Sequence, residues 1–194
     1  FTKLSAGVKG FAYFVFQDGI HEDIALVSPA GVTSSLYPPA ADANREVANL
    51  GRVLRHLDST DWRFRSGSGH ATPEYMTAWD SAAGDGNIDA LTIFGSTKPF
   101  KDALIGYFSD DADQNYFMLV NALHGETLGA TDATVTIVLT FGPDINELLR
   151  INRLTGEPEK VMLSNRVLTL TLPGGTGDLF KYNTGDFAGI PGGD

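Results

Sequence analysis

The chain has 194 residues, no cysteine, and 24 acidic against 14 basic side chains, for a formal charge of −10. That charge argues against a nucleic-acid partner, which wants a basic stripe, and against an anionic membrane surface. No apolar run is long enough to span a bilayer. The missing cysteines exclude disulfides, thiolate metal sites and a cysteine nucleophile, and they leave the compartment open, secreted and periplasmic included. The length suits one or two small domains with a real core, and glycines gathered at turns suit a β-rich fold.

In chain order, Gly7-Val8-Lys9-Gly10-Phe11-Ala12-Tyr13-Phe14-Val15-Phe16 predicts a strand apolar on both faces. Such a strand needs cover on both sides and a parallel partner. No earlier strand supplies one, so the expectation is a C-terminal piece of a larger protein. A polar loop, Gln17 to Asp23, leads to a short strand Ile24-Ala25-Leu26-Val27 and a turn Ser28-Pro29-Ala30-Gly31. A helix follows, with Asp42 as its expected N-cap and Val47, Leu50, Leu54 and Leu57 on one face. Gly51 in mid-helix costs about 1 kcal/mol against alanine, which predicts close packing there.

The stretch from Asp58 to Asp89 is polar and rich in Gly, Ser and Thr; Trp62-Arg63-Phe64-Arg65 reads as a strand and the rest as a long loop. From Ala90 to Tyr182 short strands follow one another: 91–94, 104–108, 116–121, 134–141, 147–152, 160–163, 167–172 and 179–182. Val135, Ile137, Leu139 and Phe141 alternate with threonines and a valine, and Leu168, Leu170 and Leu172 alternate with Thr169 and Thr171. Period-two patterning at regular spacing predicts an antiparallel sandwich.

Several segments taken together resemble the C-terminal part of a TIM-barrel glycoside hydrolase of the β-galactosidase-like kind. Gly7–Phe14 resembles the eighth barrel strand. Ala25–Thr33 with Leu36-Tyr37 resembles the turn before the last barrel helix, and Asn44-Arg45-Glu46-Val47-Ala48-Asn49-Leu50-Gly51-Arg52-Val53-Leu54 resembles that helix. Phe117-Met118-Leu119-Val120-Asn121, the hairpin Ile151-Asn152-Arg153-Leu154-Thr155-Gly156, and Leu170 to Phe180 resemble elements of the C-terminal sandwich. The resemblance implies hydrolysis by two carboxylates flanking the glycosidic bond. These sit on the fourth and seventh barrel strands, so no catalytic residue carries over to this chain. The loop from Ser66 to Asp89 has no counterpart in the resemblance.

If residues 10–16 end a barrel strand, Gln17, Asp18 and His21 lie on the face where barrel active sites form and become candidate sugar contacts. Trp79 is a candidate for stacking on a sugar ring. Asp18, Glu22 and Asp23 beside His21 match no metal-ligand spacing. Asp111-Ala112-Asp113-Gln114-Asn115 and Asp85-Gly86-Asn87-Ile88-Asp89 open like calcium loops. Each lacks the acidic twelfth position, so both read as turns. No metal or cofactor is expected.

The fold expected is mainly β: an antiparallel β-sandwich over 59–185, preceded over 1–58 by a strand–loop–helix unit resembling the end of a (β/α)8 barrel, with 186–194 a flexible tail. The function expected is the C-terminal portion of a glycoside hydrolase, its sandwich supporting a barrel that lies mostly outside this chain. The partners expected are a carbohydrate substrate, met through the intact enzyme, and an upstream barrel or partner chain; nucleic acid and membrane are not. Two other readings stand beside it: a non-catalytic carbohydrate-binding sandwich working through Trp79, and a self-contained β protein whose first strand joins the sandwich.

Overall fold

The computed structural model describes residues 1–11, 25–67, 71–94, 101–125, 127–182 and 185–190. Among the described residues two helices, α1 (Thr2–Ser5) and α2 (Tyr37–Leu54), precede nine strands: β1 (Asp58–Arg65), β2 (Ile88–Phe94), β3 (Ala103–Ser109), β4 (Asn115–Asn121), β5 (Val135–Phe141), β6 (Glu147–Ile151), β7 (Pro158–Met162), β8 (Val167–Leu172) and β9 (Gly177–Tyr182). They form a six-stranded sheet in the order β1-β3-β4-β9-β6-β7 and a three-stranded sheet in the order β2-β5-β8. Every neighbouring pair is antiparallel. Neither described helix is long and apolar enough to cross a membrane.

The two sheets enclose one core, and the six-stranded sheet and the helices enclose a second. In β3, Ile105 and Tyr107 enter the intersheet core, while Leu104 and Phe108 enter the helix-facing core. In β4, Phe117 and Leu119 face one way and Tyr116, Met118 and Val120 the other. A strand covered on both faces loses its polar alternation, which is why β3, β4 and β9 are buried almost throughout. β5 and β8 keep theirs, because only one face of the three-stranded sheet is covered. The intersheet core centres on Phe117, whose ring stacks on Phe180 at 5.0 Å and tilts against Phe141 and Tyr182.

The helix lies against the sandwich through Leu50, Val53 and Leu54. It begins at Tyr37, five residues before the expected cap. Pro38 and Pro39 fall in its first turn, where a missing N–H breaks no intrahelical bond, and Asp42 instead pairs with Arg45 within the helix at 2.7 Å. Gly51 is not closely packed: an added Cβ would meet nothing within 4 Å.

The N-terminal segment also departs from expectation. Residues 8–11 form no strand; the remainder of that expected strand, through Phe16, falls outside the described residues. The α1 turn ends at Gly7, whose φ of +87° suits a glycine, and Lys9 donates from Nζ to the carbonyls of Leu54 (2.7 Å) and Leu57, at the end of α2. Of the short strand expected at 24–27, the described part is a single bridge between Val27 and Thr33, closed by the turn at Ser28–Gly31. At the other end, Phe187 and Ile190, in the stretch expected to be a flexible tail, are buried in the helix-facing core.

Candidate functional site

Two polar sites stand out from the packing. The first joins α2 to the sandwich. The hairpin between β6 and β7 opens with an Asx turn: Asn152 Oδ1 accepts from Leu154 N at 2.9 Å and Thr155 N at 3.3 Å. Gly156 follows with φ +79°; an added Cβ there would stand 2.9 Å from Asn49 Oδ1. This turn lets the hairpin lie against the helix. Asn49 Nδ2 donates to the Arg153 carbonyl at 2.8 Å and Arg52 Nη1 to the Gly156 carbonyl at 3.1 Å.

Arg153 sits at the centre. Its Nε donates to Glu46 Oε2 on α2 at 3.0 Å, and its Nη1 to Asp178 Oδ1 on β9 at 2.6 Å. Asp178 is only 2 % exposed, and Arg150 Nη1 adds a second cation 3.5 Å from its other oxygen. Arg150 also reaches Glu159, whose carboxyl it holds below the usual range, with help from Asn152. The buried Asp178 carboxylate is therefore paired with two arginines, as its burial requires.

The second site lies where the β1–β2 connection crosses β3. Trp79 is 9 % exposed in the intersheet core and donates from Nε1 to Tyr107 Oη at 3.0 Å. Arg65 lies over its ring at 5.8 Å. The packing occupies the indole without a ligand. Next to it, Asp85 Oδ1 accepts from Asn87 N at 3.0 Å and from Tyr182 Oη at 3.3 Å, while Asp85 Oδ2 is buried with no hydrogen-bond partner. Burial raises the Asp85 carboxyl above the ordinary value, against the hydrogen bonds that would lower it. Burial also pushes the phenols of Tyr107 and Tyr182 up, and the Asp85 charge adds to both shifts.

Of the residues singled out in the sequence, Gln17, Asp18 and His21 lie outside the described residues. Trp79 is placed in the core, as described. The two calcium-like openings are turns held by carboxylates: Asp110, just before the first, accepts at Oδ1 from Ala112 N and Gln114 N, and Asp85 accepts from Asn87 N. Among the described residues, no group of three or more acidic or histidine side chains is placed to hold a metal ion. Asp85, Tyr107 and Tyr182 carried no signal beyond a turn and two strand positions. Arg153 and Glu46 did lie in motifs that the sequence singled out.

What the fold defines is a β-sandwich with a helix bound to one outer face by a charged junction. Compared with protein-family models, curated proteins and solved structures, the chain matches none of them.

Proposed function

We propose that this chain is the C-terminal portion of a glycoside hydrolase, in which the sandwich is an accessory element that supports a catalytic barrel through α2. The observation that carries the reading is the convergence on Arg153. Three segments chosen for one resemblance, far apart in sequence, supply Glu46 and Asn49, Arg153 and Gly156, and Asp178 to a single junction. A helix that merely preceded the sandwich would not need a charged tie to a hairpin and through it to the buried Asp178 on β9.

A second support is the apolar surface left on the N-terminal unit. Val8, Val32, Leu36 and Tyr37 are 39 to 64 % exposed. A barrel wall seated against α2 would cover such side chains. In this reading the carboxylate pair belongs to the barrel, and the chain's own residues position the last helix and hold it against the sandwich. The carbohydrate-binding alternative depends on Trp79, whose buried ring presents little surface to a sugar.

The test is hydrolysis of a panel of aryl β-glycosides, by the protein as its source produces it and by this chain alone. The reading expects turnover by the first and none by the second. Turnover by the chain alone, or no turnover by the natural protein across the panel, overturns it.

A further inference from the structure

We propose that a cavity at the β1 bulge binds a single neutral sugar residue, held by Thr60, Asp85, Ser109, Asp113 and Asn115. The cavity has a volume of about 330 Å³ and lies where the loop carrying Gly84 and Asp85 meets β1 and the turn from β3 to β4. That volume is at the small end of ligand pockets, enough for one ring rather than a chain of them.

Several features build it. β1 and β3 fall out of step between Ser59 and Asp61, which leaves Thr60 as the extra residue of a bulge and places it on the cavity wall. Asp61, next along, accepts from Gly84 N at 2.9 Å and fixes the loop against β1. Gly84 has φ +64° and packs so closely on the Tyr107 ring that no Cβ fits between them. Across the cavity, Asp113 is held at φ +56° in a turn whose N–H groups bond to Asp110. The two aspartate-rich turns of the sequence, at 85–89 and 111–115, thus meet at one place, although neither completes a calcium loop.

The lining chemistry selects the ligand. Two carboxylates, the hydroxyls of Thr60, Ser109 and Tyr107, and one amide line it, and no lysine, arginine or histidine is among the lining residues. An anion is therefore disfavoured. Asp85 and Asp113 supply the two carboxylates of the lining. A ligand rich in hydroxyl donors and free of negative charge fits this set. The choice of a sugar over other polyols rests on the glycosidase reading, whereas the acceptor-rich cavity does not.

The experiment is a titration of the isotope-labelled chain, followed by amide NMR shifts, with glucose and galactose, and with calcium chloride as a separate arm. Saturable shifts at Gly84, Asp85, Ser109 and Asn115 are expected for one of the sugars, in the millimolar range and within about 100 mM of ligand. The variant Asp113→Gly removes a carboxylate while suiting the positive φ, and it should weaken binding about tenfold with the spectrum otherwise intact. No saturable shift with either sugar overturns the proposal. So do shifts that map elsewhere, equal binding by Asp113→Gly, or a response to calcium alone. Because the chain alone is titrated, a negative result here leaves the hydrolysis test of the natural protein untouched.

Discussion

Asp85 is the residue where burial and charge conflict most openly. Its carboxyl is raised by burial, so in the unfolded chain it ionises first, near pH 4. Stability contributed by the neutral form is present below that pH and is lost as the pH rises toward the raised folded value. Asp110 runs the other way. Burial would raise it, but hydrogen bonds from the Tyr116 hydroxyl and from the N–H groups of Gln114 and Ala112 outweigh burial and hold it low. Its contribution is present above the unfolded value and lost as the pH falls through the folded one. Asp85→Asn removes the first effect and leaves the second. Compared with the parent, it should gain in melting temperature as the pH rises from about 3.5 to about 7; a constant difference across that range would show that Asp85 is not held out of its ordinary range. Gly51 offers a simpler case. Its helical position is open, so Gly51→Ala should raise stability by about 0.5–1 kcal/mol in urea denaturation. A loss would mean that something does pack against this face of α2.

At the scale of elements, the fold depends on close approach between the six-stranded sheet and what covers it. Gly106 on β3 lies under the Ser5 carbonyl of α1, with no room for a Cβ. Trp62 Nε1 donates to Ser5 Oγ at 3.1 Å just beside it. Gly106→Ala must push α1 off the sheet and should cost about 1–3 kcal/mol. The same variant should loosen protection of the Ser5 and Gly7 amides in hydrogen exchange, whereas unchanged protection would contradict the contact.

The strands were legible in the sequence because turn residues bound them and β5 and β8 alternate cleanly. The start of α2 was not: Asp42 has the chemistry of an N-cap, whereas Pro38 and Pro39 already lie in the first turn of the helix. The double cover of β3, β4 and β9 was not legible either: their apolar runs give no sign of which layer each side chain enters. For the candidate sites, the motifs around Glu46 and Arg153 could be read, but not the bond between them. The meeting of Asp85 with Asp113 depends on how β1 pairs with β3, which no local pattern encodes.

For the whole molecule, the proposed role of the sandwich is to stabilise what α2 belongs to, with no part in bond cleavage. In the proposed role that support would pass through Arg153, which bridges Glu46 on the helix and the buried Asp178 on β9. Removing it leaves Asp178 with Arg150 alone and Glu46 without its partner across the junction. Losing one member of such a buried network costs about 3 kcal/mol. The most direct measurement is the hydrolysis rate and the thermal inactivation temperature of the natural protein carrying Arg153→Ala. The account predicts inactivation several degrees lower, with kcat/KM at low temperature close to that of the parent. A collapse of kcat/KM with inactivation unchanged would put Arg153 in the chemistry instead, and no change in either would show that the junction supports nothing.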